Sequence, residues 1–100
     1  MEWNELRDEI NRMFSQKAKK LSLNPTLDLN FIEDTSIIGE NVFGEAFPNE
    51  NRVWLEVVAP DASDKQILKI LCHELIHIKH PDWNHDSQLF KKAVSQCMKA

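Results

Sequence analysis

Near the N-terminus, Leu6, Ile10, Met13 and Phe14 recur at helical spacing, with charged and polar residues filling the other positions. The pattern predicts an amphipathic helix over residues 3–20, and Asn24-Pro25 closes the connection after it. The period then changes to two. Leu27, Leu29 and Phe31 alternate with Asp28 and Asn30, which predicts a strand. A second extended stretch covers Ile37-Ile38 and 42–47, interrupted near Gly39-Glu40-Asn41. Residues 48–51 read as a turn, and 52–58, rich in Val, Trp and Leu, as a third strand closed by Ala59-Pro60-Asp61. Short connections between the strands favour a small, mainly antiparallel sheet. Ser63, with Gln66 three residues on, has the pattern of a capping box. It opens a helix whose buried stripe is Ile67, Leu68, Leu71, Leu75 and Ile78, and Pro81 ends it. A last helix over 86–99 has Leu89, Phe90, Ala93, Val94, Cys97 and Met98 as its apolar face. The order helix, strands, helix, helix is α+β.

One hundred residues allow one domain, spanning 1–100. At 42% hydrophobic and 28% charged, the composition excludes disordered, collagen-like and low-complexity classes. No apolar run reaches the length of a membrane span. The net charge of −4 argues against a nucleic-acid surface, and Lys17, Lys19 and Lys20 read as a solvated helix end. The N-terminal stretch lacks the basic start and apolar run of a signal peptide, so a cytoplasmic location is expected. Cys72 and Cys97 each sit among apolar residues and read as buried free thiols rather than a disulfide framework.

The chemistry concentrates at His73-Glu74-Leu75-Ile76-His77. Residues i and i+4 share one helix face, so His73 and His77 can bind one Zn²⁺. Glu74, one step round the helix, can reach a water at the metal and act as general base. A catalytic tetrahedral site needs a third ligand and one open position. His80, Asp82, His85 and Asp86 are the candidates. His80 continues the same face, but its backbone lies roughly 10 Å along the axis from His73. His85 lies beyond the Pro81-Asp82-Trp83-Asn84 turn and can close the site from another direction, so it is the expected ligand.

His73-Glu74-Leu75-Ile76-His77, a short gap, Asn84-His85 and then the aromatic Phe90 resemble the SprT-like and YgjP-like zinc metallopeptidases. The layout is also similar to the minimal scaffolds called minigluzincins. The resemblance covers most of the chain in layout and about 70–90 in motif. It implies a zincin-like fold and peptide hydrolysis, with His73, His77 and His85 as zinc ligands and Glu74 as general base. The gap is two residues longer than in many YgjP-like members, and no Glu follows Glu74 to serve as a gluzincin ligand. The metzincin Gly before the third His is also missing. The chain contains no Tyr, leaving Arg52, His80 or Asn84 as candidate oxyanion stabilisers.

Two further readings bear on substrate. The stretch Gly44-Glu45-Ala46 has the place of a zincin edge strand that pairs with an extended substrate, and it equally fits a plain strand with a bend. His80 is a second candidate for assisting at the site. The expected partner is a peptide or unfolded protein, with no membrane and no nucleic acid; oligomeric state is not legible. The alternatives are a zinc-dependent endoribonuclease of the three-His type and a latent, non-catalytic zinc-binding domain. The endoribonuclease pattern typically has Gly after the first His, where this chain has Glu74, and it would call for a basic groove.

Overall fold

A computed structural model describes residues 3–32, 41–58 and 62–99. The elements in chain order are α1 (Trp3–Lys20), β1 (Thr26–Phe31), β2 (Val42–Phe47), a 3₁₀ turn (Pro48–Glu50), β3 (Arg52–Val57), α2 (Asp64–Lys79) and α3 (Gln88–Lys99). The fold is α+β, with three helices and a three-stranded mixed sheet. Ile37-Ile38 and Ala59-Pro60-Asp61 lie outside the described residues. Among the described residues no helix is long and apolar enough to cross a membrane.

The strand order is β1-β3-β2. β2 and β3 pair antiparallel across the Pro48–Glu50 turn, where Asn51 takes a left-handed conformation. β1 pairs with β3 in parallel, from Thr26 opposite Arg52 to Phe31 opposite Val57. This corrects the expectation of a mainly antiparallel sheet. A short connection dictates antiparallel pairing only for consecutive strands, and β1 and β3 have a whole strand between them. β3 takes the centre, and its inward face is the most completely buried of the three strands. Val53, Leu55 and Val57 are fully buried, and its register places Leu27, Leu29 and Phe31 on one side and Val42, Gly44 and Ala46 on the other. These residues form the face that meets the helices. Arg52, Trp54 and Glu56 alternate onto the opposite face.

Leu6, Ile10, Phe14 and Ala18 of α1 and Ile67, Leu71 and Leu75 of α2 join that sheet face in the main core. The N-terminus of α2 is capped as expected, the Ser63 hydroxyl accepting from the Gln66 N–H at 3.1 Å. α2 packs mainly on β2, while its other side meets α3 through Cys72, Ile76, Phe90, Val94 and Cys97. α2 is therefore sandwiched, and one of its faces remains for chemistry.

The reading of free thiols is also corrected. Cys72 and Cys97 are buried, but they form a disulfide, with Cα atoms 5.8 Å apart. The helical spacing that turns each cysteine inward also turns them toward each other, because α2 and α3 share that interface. α3 starts at Gln88 rather than 86, where the Ser87 hydroxyl accepts from the Phe90 N–H at 3.2 Å.

Candidate metal centre

His73 and His77 project from one side of α2 with their Nε2 atoms 3.1 Å apart. Two nitrogens on one tetrahedral zinc at ~2.0–2.1 Å stand about 3.3–3.4 Å apart. The pair is therefore already close to the bite of one ion. The ligand atoms of His73, Glu74 and His77 lie within 4.8 Å of one another, so this group can hold a metal ion. Burial lowers the pKa of both imidazoles, and the neighbouring histidines add to that lowering. For His73 the Lys69 ammonium contributes as well. A depressed pKa keeps the rings neutral, the form that binds metal.

Beyond the α2 terminus, the His85 ring centroid is 6.3 Å from that of His73 and 6.1 Å from that of His77. Rings sharing one tetrahedral zinc through Nε2 have centroids about 5 Å apart. His85 therefore faces the pair almost symmetrically, and a move of about 1 Å by an exposed side chain brings it into position. Its Nε2 lies 3.7 Å from the Asp86 carboxylate, too far for a hydrogen bond, so that nitrogen stays accessible to an ion. Imidazole donors in this arrangement suit zinc among several divalent ions.

Glu74 is buried and faces the sheet. A Cβ built on Gly44 would lie 3.2 Å from its Oε2 and 3.1 Å from its Cγ, so β2 runs against this carboxyl at close range. Burial pushes the Glu74 pKa up to about 7, with the Glu45 carboxylate adding to it. A cavity of about 390 Å³ joins these parts, lined by Gly44, Glu45, Ala46, His73, Glu74 and His77, with Pro48 and Pro81 at its margins. Gly44, Glu45 and Ala46 thus share one cavity with the histidine pair. Among the described residues β2 pairs only with β3, leaving its other edge open.

The remaining candidates lie elsewhere. His80 caps the C-terminus of α2 and stacks on Trp83, with ring centroids 3.6 Å apart, in a different cavity. Arg52 sits on the far face of the sheet, bonded to Asp28 at 2.6 Å and lying over the Phe47 ring. Asn84 is exposed in the turn, its side chain accepting from the Asp86 N–H. Asp82 and Asp86 are exposed.

Phe90 has a part that its place on an apolar stripe did not reveal. Its ring lies against both imidazoles, with centroids 4.9 Å from His73 and 4.5 Å from His77. It is 1% exposed, so it forms a fixed wall that limits how the histidines turn. On the α3 side a second cavity, of about 410 Å³, borders His73 and His85 and runs over Phe90, Val94 and Met98.

No family model matches the chain, and no curated protein or solved structure matches it either.

Proposed function

We propose that this chain is a zinc-dependent metallopeptidase of the SprT-like and YgjP-like kind that its motif resembles, with a zincin-like fold. The observation that carries the reading is the shared cavity. The histidine pair, a buried carboxyl beside it and a strand whose outer edge is unpaired among the described residues all border one space. His73, His77 and His85 would hold the ion. When bound, zinc supplies a Lewis acid that polarises a peptide carbonyl and lowers the pKa of water.

The residues of the chain do the rest. The edge of β2 that is unpaired among the described residues offers backbone N–H and C=O groups to an extended peptide, which pairs with it as an added strand. The close approach allowed by Gly44 sets β2 directly against Glu74, so a peptide paired on β2 would lie near that carboxyl. Glu74 takes a proton from the attacking water and delivers it to the leaving amine nitrogen. A carboxyl with a pKa of about 7 suits both transfers near neutral pH. An unfolded protein or peptide is the substrate class, because edge pairing selects extended backbone.

The test compares zinc-loaded wild type with Glu74→Gln on an unfolded protein, a peptide library and RNA. The expected result is peptide cleavage by wild type. Glu74→Gln should keep its zinc and fold but lose at least ~10²-fold in rate. Cleavage of RNA alone would establish the endoribonuclease alternative. Cleavage of neither would leave a non-catalytic zinc-binding domain.

A further inference from the structure

The disulfide spans the functional residues. Cys72 immediately precedes His73, and the 25-residue separation to Cys97 encloses His73, Glu74, His77 and His85. α3 packs chiefly on α2. The interface has five buried members, and two of them are the bonded cysteines. Without the bond, only apolar packing among the two thiols, Ile76, Phe90, Val94 and the partly buried Leu68, Ala93 and Met98 holds a helix of 12 residues, a length that is marginal in isolation. α3 carries the Phe90 ring that walls both imidazoles, and the turn leading into it carries His85.

The two cysteines are not equally placed toward solvent. Cys72 is 0% exposed, whereas Cys97 is 5% exposed and lies in the wall of a cavity of about 340 Å³. Lys17, Lys20 and Lys79 also line that cavity. Their positive charge favours the approach of a thiolate, the attacking species in thiol–disulfide exchange. In reducing compartments such bonds are usually transient and redox-sensing.

We propose that Cys72–Cys97 is a redox clasp on the metal centre, opened by thiol attack at Cys97 from this cavity. The inference rests on the metal-binding reading above. A thiolate of a dithiol reductant attacks the Cys97 Sγ, the S–S bond breaks, and the Cys72 sulfur leaves and takes up a proton. The second thiol of the reductant then displaces Cys97. Two protein thiols form, and the dithiol becomes a disulfide. Opening the clasp frees α3, removes the Phe90 wall and releases the His85 turn from the histidine pair.

The test measures zinc affinity by competition with a chromophoric chelator. It compares air-oxidised wild type, wild type reduced by a phosphine, and Cys97→Ser, and follows hydrogen exchange over residues 88–99 in each. Zinc should bind at least tenfold more weakly to the reduced protein and to Cys97→Ser than to the oxidised protein. Phosphine should leave Cys97→Ser unchanged, and α3 amides should lose protection whenever the bond is open. Equal affinities with equal α3 protection would overturn the clasp, as would two free thiols in the oxidised sample. If no form binds zinc, the metal reading fails on its own, and α3 exchange still decides whether the bond holds the helix.

Discussion

Gly44→Ala isolates the contact between β2 and the Glu74 carboxyl. The added methyl would lie 2.6 Å from the Ile70 Cγ2 and 3.1 Å from the Glu74 Cγ. Carbon atoms in packed contact stand about 3.5–4.0 Å apart, so one of the two elements must give way. Gly44 is not in the left-handed region, so the backbone itself accepts alanine and the cost is steric. Overpacking of this kind costs about 1–3 kcal/mol. The stiffer unfolded chain returns about 0.4–1 kcal/mol. At the middle of both ranges the net loss is about 1.3 kcal/mol, which lowers Tm by roughly 5–10 °C in a domain of this size. The assay is thermal unfolding of the metal-free protein, with Ile70→Ala and the double variant completing a cycle. Removing the Ile70 side chain makes room, so the penalty of Gly44→Ala should shrink in that background. An unchanged or raised Tm for Gly44→Ala would mean that β2 does not run this close to α2, and the placement of Glu74 beneath the edge strand would be wrong.

Three further outcomes follow from the site. His85→Ala should weaken zinc binding at least tenfold while His80→Ala leaves it within twofold, because His80 is stacked on Trp83 instead of facing the pair; metal analysis after dialysis against a weak chelator reads both, and the reverse pattern would move the third ligand to His80. Phe90→Ala should cost about 3–5 kcal/mol in urea unfolding, since the ring is buried against both imidazoles, and a loss under 1 kcal/mol would contradict that packing. The Glu74 pKa is raised from 4.5 to about 7, so its proton favours the folded state: that stabilisation is complete below about pH 4.5 and is lost as pH rises through about 7. The stability of metal-free wild type relative to Glu74→Gln should therefore fall by roughly 2–4 kcal/mol between pH 4.5 and pH 8, and a constant difference would mean that the carboxyl is not desolvated.

Much of this arrangement could be read from residue order, because local rules decide it. The period of Leu6, Ile10 and Phe14 placed α1, and the Ser63 hydroxyl bonding the Gln66 N–H placed the start of α2. The i, i+4 spacing put His73 and His77 on one face for the same local reason. Features that depend on which elements meet were not legible. The parallel pairing of β1 with β3 is set by packing of the whole sheet against the helices, and no short-range pattern encodes it. The Cys72–Cys97 bond required knowing that α2 and α3 face each other. Phe90 stood out as the aromatic of the motif and as a member of an apolar stripe, but only the approach of α3 to α2 sets it against the imidazoles. The contact of Gly44 with Glu74 carries no sequence signal beyond a glycine in a strand, which fits a bend equally well.

X-ray absorption at the zinc edge, on the oxidised protein loaded with one equivalent of zinc, tests the central claim most directly. The expected spectrum shows three imidazoles at about 2.0–2.1 Å with one oxygen neighbour completing the shell. It should fall to two imidazoles in His85→Ala and stay at three in Glu74→Gln. A wild-type shell with fewer than three imidazoles, or one in which Glu74→Gln changes the ligands, would contradict a site built from His73, His77 and His85 with Glu74 left free to move protons.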